Sequence, residues 1–156
     1  IITDVSIGHI EGLKSLDNIV EEKASICSGQ TQKGLAIIPS GIEKFSQLKA
    51  KVKDFGPNVI SFGHDESSDV RISTTEVLGN AIISTIIDQK QNLWNVKLKT
   101  AGKHYMKNAA ALLALVFSLK LNPSKAILAL ERWSPLAGRG QVLEIEVKHS
   151  NYKISI

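Results

Sequence analysis

Leu35-Ala36-Ile37-Ile38-Pro39, the segment Ile42–Phe55, and Asn58-Val59-Ile60-Ser61-Phe62-Gly63 together decide the fold. Leu35–Ile38 is a short unbroken apolar run, as a strand covered on both faces requires, and Pro39 stops it. In Ile42–Phe55 the apolar residues Ile42, Phe45, Leu48 and Val52 recur at helical spacing. Lys44, Lys49, Lys51 and Lys53 take the other side, so an amphipathic helix is expected, broken by Gly56-Pro57. Asn58–Phe62 reads as the next strand, ended by Gly63. Strand, helix and strand in that order build an α/β sheet.

The same reading extends outward. Ile1–Ile7 is expected to be a further buried strand, turning at Gly8-His9. Ser15 is the expected N-cap of a helix with Asp17 in its first turn. Leu16, Ile19, Val20 and Ala24 follow at helical spacing, and Gly29 ends the pattern. Beyond Val70 the character changes. Val70–Lys99 alternates, with polar turns at Gly79-Asn80 and Asp88–Gln91, and so predicts an antiparallel meander of two or three strands. Lys103–Leu121 is a long helix, apolar on most faces in its second half and therefore buried. Asn122-Pro123 opens a last helix running to about Trp133. A loop, Ser134–Gly140, and a strand, Val142–Val147, complete the chain.

The chain has 156 residues, of which 43% are hydrophobic and 22% charged, enough for one domain with a real core and too apolar for wholesale disorder. Its longest apolar run, Ala109–Phe117, is too short to span a bilayer. A lone Cys27 excludes a disulfide scaffold, and no segment reads as a secretion signal, so a cytoplasmic protein is expected. The net charge is +4. Only Arg71, Arg132 and Arg139 are arginines, and no aromatics interleave with the scattered lysines. Nucleic acid is therefore not an expected partner, whereas an anionic small molecule is. The chain opens at Ile1 inside an apolar run and closes in another, Tyr152–Ile156, which reads as a piece of something longer.

Four segments can carry chemistry. Gly8-His9-Ile10-Glu11-Gly12 follows a strand, where ligands of open α/β sheets bind, although a plain surface-loop histidine fits equally. Lys23 comes fourteen positions after His9 and reads either as a solvated lysine or as a partly buried functional one. Gly102-Lys103-His104-Tyr105-Met106-Lys107-Asn108 opens the long helix. Its first turn can hold an anion, and His104 and Asn108 share one face. Asn108 can cap or pair with backbone, or read a base edge with donor and acceptor together. Gly138-Arg139-Gly140 exposes a guanidinium suited to phosphate, or is a plain loop. Neither Gly-rich phosphate-loop motif occurs.

In this order the segments resemble the Mur ligases, the ATP-dependent amino-acid ligases of peptidoglycan synthesis. The resemblance rests on Ile2-Thr3-Asp4-Val5, His9-Ile10-Glu11-Gly12, Ser15-Leu16, Ile19 and Lys23-Ala24-Ser25-Ile26. It continues through Gly34–Ile38, Ser61-Phe62-Gly63, Asp69-Val70-Arg71, Gly102-Lys103-His104, Asn108-Ala109, Ala111 and Pro135–Gly140. It implies a three-layer central ATP-binding domain, of which residues 1–156 are the second half. The phosphate loop would lie upstream, and a C-terminal domain downstream. The branch most resembled joins D-alanyl-D-alanine to a UDP-N-acetylmuramoyl-tripeptide through an acyl phosphate, as a full-length monomer. Another Mur or folylpolyglutamate-synthase-like ligase, or a non-catalytic nucleotide-binding module, are the alternatives. The cofactors implied are ATP and Mg²⁺. His9 and a carbamylated Lys23 would hold the metal, and His104, Asn108 and Arg139 the nucleotide. Four positions depart from the family pattern: Asp4, Ser25, Tyr105 (where an asparagine is usual) and Pro39–Ile42.

Overall fold

The computed structural model describes residues 1–6, 15–31 and 33–135. Five strands form one mixed sheet: β1 (Leu35–Pro39), β2 (Asn58–Gly63), β3 (Val70–Leu78), β4 (Ala81–Ile87) and β5 (Leu93–Leu98), side by side in chain order. β1, β2 and β3 run parallel, and β3, β4 and β5 antiparallel. The β2–β3 pairing needs no crossover helix, because it is only two residues long: Phe62 faces Val70 and Gly63 faces Arg71. β3 starts where β2 ends, continues in the same direction, and pairs along the rest of its length with β4. The parallel and antiparallel halves are thus joined at one short seam.

Alternation along β1 sends side chains to both faces. Ile37 joins one buried cluster with Phe62, Val70, Ile72, Ile82, Ile86, Val96 and Leu98. Ala36 and Ile38 join the other. The first cluster is covered by helix Lys103–Ser118, through Met106, Ala109, Ala110, Leu113 and Ala114, and by Ile127 of helix Pro123–Arg132. The second is covered by helices Leu16–Ser25 and Phe45–Asp54, through Ile19, Val20, Ala24, Leu48 and Val52. These helices are α1 (Leu16–Ser25), α2 (Phe45–Asp54), α3 (Lys103–Ser118) and α4 (Pro123–Arg132). Helices on both faces of one sheet make the expected three layers. The alanines of α3 bring its backbone close to the sheet.

The caps follow from the residues. Ser15 Oγ accepts the Asn18 N–H at 3.2 Å, and Asn122 Oδ1 accepts that of Lys125 at 3.2 Å behind Pro123. Lys44 pairs with Asp17 at 3.1 Å, and Lys51 with Glu21, linking α2 to α1 at the surface.

Four expectations need correction. Residues 1–6 form no strand: among the described residues a single backbone bond, Ile2 N–H to Ile37 O at 2.9 Å, ties them to β1, and burial of Ile2 and Val5 holds them instead. α1 ends at Ser25 rather than Gly29, with Ile26–Gly29 as turns. α2 begins at Phe45, not Ile42, since Gly41 at φ 69° turns the chain and Ile42–Lys44 complete that turn. α3 stops at Ser118, where Lys120 adopts φ 54°. The expected strand Val142–Val147 lies outside the described residues. Among the described residues, no helix is long and apolar enough to cross a membrane.

The β4–β5 turn is organised by Asp88, which is 7% exposed. Its carboxylate accepts the N–H groups of Lys90 (2.8 Å) and Asn92 (3.0 Å), the Asn92 amide (2.9 Å) and the Trp94 indole (3.1 Å). Burial pushes this carboxyl's pKa up, but the hydrogen bonds outweigh burial and hold it below the usual range. A depressed carboxyl stabilises the fold above its unfolded pKa and stops doing so as pH falls through its folded value. Asp88→Ala is therefore expected to cost about 1–3 kcal/mol at neutral pH. Thermal melts of both proteins should converge as pH drops below about 4; a gap that does not change with pH counts against the turn's ionic character.

Candidate functional site

The carboxyl ends of β1 and β2 are where an open α/β sheet offers a ligand site. Here that edge is closed by its own polar groups. Ser40 donates from N to Phe62 O at 2.7 Å and from Oγ to the same oxygen at 2.9 Å, and its Oγ meets Ser68 Oγ at 2.6 Å. Gly63, at φ 154°, packs so tightly that a Cβ there would lie 2.4 Å from Ser40 Oγ. Asp69 accepts Ser61 N–H at 2.8 Å, Ser61 Oγ–H at 2.6 Å and Gln89 Nε2–H at 3.2 Å. Burial raises the Asp69 pKa, but these bonds and the charge of Lys49 hold it below the usual range. Ser61–Gly63 and Asp69–Arg71 are thus the seam between the sheet halves.

Two clefts hold the sequence-derived candidates. Lys23, half-buried on α1, lines one of about 260 Å³ together with Ile1–Asp4, Glu22 and Ile26. Asp4 and Glu22 bring hard oxygen donors to it, as a divalent cation of the magnesium type prefers. Lys23 as an ammonium is no such donor and fits that set only after conversion to a carbamate. His9 lies outside the described residues, so its expected convergence with Lys23 does too. Among the described residues no three His, Cys, Asp or Glu side chains gather as a metal cluster.

Asn108 lines the other cleft, about 300 Å³, with Leu98, Tyr105, Ala109, Leu112, Leu130 and Trp133. Its walls are mostly apolar, and Asn108 brings an exposed amide to them. This is the usual composition of a small-molecule site: apolar walls and one directional polar group. The start of α3 adjoins it. Gly102, the N-cap, gives no side-chain bond to the first turn, and the first turn carries no acidic residue. Those N–H groups, with Lys103 beside them, favour an anion. The His104 ring lies 4.0 Å from that of Tyr105, and Tyr105 lies 5.0 Å from Trp133.

Asn108 and His104 both lie in the first two turns of α3, but only Asn108 lines the cleft, and the His104 ring lies against Tyr105. Lys23 is placed in a different cleft. Arg139 lies outside the described residues. Tyr105 stands out in the sequence only as a departure from the family pattern, and its pairing with Trp133 arises from the packing of α4 beside α3.

Comparison with known proteins fits this architecture. The Mur ligase middle domain model matches residues 1–116. The UDP-N-acetylmuramoyl-tripeptide–D-alanyl-D-alanine ligase of Haemophilus influenzae is 28% identical over 89% of this chain and 29% of its own. The UDP-N-acetylmuramate–L-alanine ligase of Agathobacter rectalis is 25% identical over 85% and 28%. Among solved structures, MurF from Acinetobacter baumannii superposes with a TM-score of 0.80 at 23% identity, over 95% of this chain and 31% of its own. MurF from Thermotoga maritima in complex with ADP gives 0.75 at 22%, over 90% and 31%. The chain spans about a third of the length of the relatives it matches. Because that family model covers most of the chain, the chain belongs to the Mur ligase middle-domain family.

Proposed function

We propose that this chain is the nucleotide-holding portion of an ATP-dependent ligase that joins D-alanyl-D-alanine to a UDP-N-acetylmuramoyl-tripeptide. The observation that carries the nucleotide reading is the Asn108 amide on the wall of an apolar, aromatic-lined cleft beside the uncapped first turn of α3. An amide of that kind orients a base, while the helix N-terminus and Lys103 face the anionic part of the same molecule.

The reaction requires the tripeptide carboxylate to attack the terminal phosphorus of ATP, with ADP leaving. The amine of D-alanyl-D-alanine then attacks the acyl phosphate, and phosphate departs from the tetrahedral intermediate. Two anions must meet, and a bound Mg²⁺ supplies the charge screening that allows it. In this chain Asp4, Glu22 and a carbamylated Lys23 are the described groups suited to hold it, with His9 as their expected companion. Arg139 is assigned to the nucleotide by the same reading. The phosphate loop and the amino-acid-binding domain belong to parts of the ligase beyond these residues.

A second reading is favoured by the relatives named for L-alanine addition to UDP-N-acetylmuramate. One assay separates the two. Full-length ligase is given ATP with either substrate pair, and product is identified by mass spectrometry. Formation of the UDP-muramoyl-pentapeptide is expected. Formation of UDP-N-acetylmuramoyl-L-alanine alone would move the assignment to the second reading. The 156-residue chain by itself is expected to form neither.

A further inference from the structure

We propose that Trp133 is the stacking surface for the purine in the Asn108 cleft and that Tyr105 sets its angle. The inference rests on the nucleotide reading above and adds to it a residue outside the long helix.

Trp133 follows directly on α4. Its N–H bonds Leu130 O at 3.2 Å, and its backbone is already extended at φ −73° and ψ 143°. The helix end thus presents the indole to the cleft rather than to the core. For so large an apolar ring it is unusually open, at 40% exposed. Its one ring neighbour among the described residues, Tyr105, stands 5.0 Å away and tilted by 59°. Rings tilted this far do not lie face to face, so Tyr105 braces the indole without stacking flat on it. Tyr105 is itself backed by the His104 ring at 4.0 Å and 41°. A row of three rings therefore runs from the start of α3 to the end of α4 and closes on an open indole.

The remaining walls fit a flat heterocycle. Leu98, Ala109 and Leu130 are apolar and offer no competing polar group. Asn108 stands one helical turn beyond Tyr105 and carries a donor and an acceptor side by side, which matches the adjacent acceptor and donor of an adenine edge. A two-ring base overlaps an indole more fully than a one-ring base, so the site should prefer purine to pyrimidine nucleotides.

The test uses ATP, adenosine, CTP and inorganic tripolyphosphate as probes on full-length ligase. In a Trp94→Phe background, with any tryptophan outside these residues also replaced, emission reports Trp133 alone. ATP and adenosine should quench it, and tripolyphosphate should not. Trp133→Ala should weaken ATP binding roughly ten-fold by calorimetry, and Trp133→Phe should restore most of it. CTP should bind more weakly than ATP to wild type and lose that handicap in Trp133→Ala. Unchanged ATP affinity in Trp133→Ala, with weakened affinity in Asn108→Ala, would overturn the stacking role and leave the nucleotide reading standing. Loss of affinity that Trp133→Phe does not restore, or ATP binding without quenching, also overturns it. Failure of wild type to bind ATP at all overturns both.

Discussion

Under the ligase reading proposed above, the full-length protein carrying Lys23→Ala is expected to turn over about 10²–10³-fold more slowly than wild type, the scale of loss when one preorganised group that stabilises developing charge is removed. Added acetate or bicarbonate should return part of the rate, since a small carboxylate can occupy the space that a carbamate head would fill. Lys23→Arg separates two explanations. If the cation itself matters, arginine should sustain substantial turnover. If a carbamate matters, Lys23→Arg should be as slow as Lys23→Ala, because a guanidinium stays protonated and cannot be carbamylated. The side chain is half-buried at a cleft rather than packed in either cluster, so both variants should melt close to wild type. Rapid turnover by Lys23→Ala would remove this residue from the reaction.

The layers of the fold were legible because burial wrote itself into the sequence with the right period. Ala36, Ile37 and Ile38 form an unbroken run since both faces of β1 are covered, and Ile82, Ser84 and Ile86 alternate to the same inner face of β4. Ser15 and Asn122 announced two helix starts through side chains that do bond the first turn. The misplacements occur where tertiary context overrode local pattern. Ile42 continues the apolar stripe of α2 but sits in a turn imposed by Gly41. Ile1–Ile7 has a strand's composition, yet a strand needs a ladder, and the described part makes one bond to β1. The short β2–β3 seam carries no signal at all, because two paired residues have no periodicity.

The site was legible only in part, for a different reason. Asn108 was conspicuous as an amide entering an apolar helix. Trp133 was not, because its place on the cleft wall depends on which helix α4 packs beside, and nothing local to Glu131-Arg132-Trp133 specifies that. Lys23 lies among charged neighbours, Glu21 and Glu22, and spacing alone gives it no distinction. Its half-buried position at a cleft with Asp4 is a product of tertiary packing.

Phe62→Ala is expected to destabilise the chain by about 3–5 kcal/mol, the range for emptying a phenylalanine site in a packed core. Phe62 is 0% exposed and lies in the cluster that joins β1 through Ile37, the meander through Ile72 and Ile86, and α3 through Leu113. It sits at the seam, paired with Val70, where parallel and antiparallel halves share only two residue pairs. Side-chain packing there must supply what a longer ladder supplies elsewhere. Its carbonyl, which takes both Ser40 bonds, survives the substitution, so the loss reports the ring and not the edge. For a chain of this size the melting temperature should fall by roughly 10 °C. Phe62→Leu keeps most of the volume and should cost about 1.5 kcal/mol or less. If Phe62→Ala melts within about 3 °C of wild type, the two halves are held together by something other than this cluster, and the three-layer account of the seam fails. ATP affinity measured well below the melt should change little, since Phe62 is not among the residues that line the Asn108 cleft. That separation of stability from binding distinguishes Phe62 from Trp133, whose loss should weaken the ligand and barely move the melt.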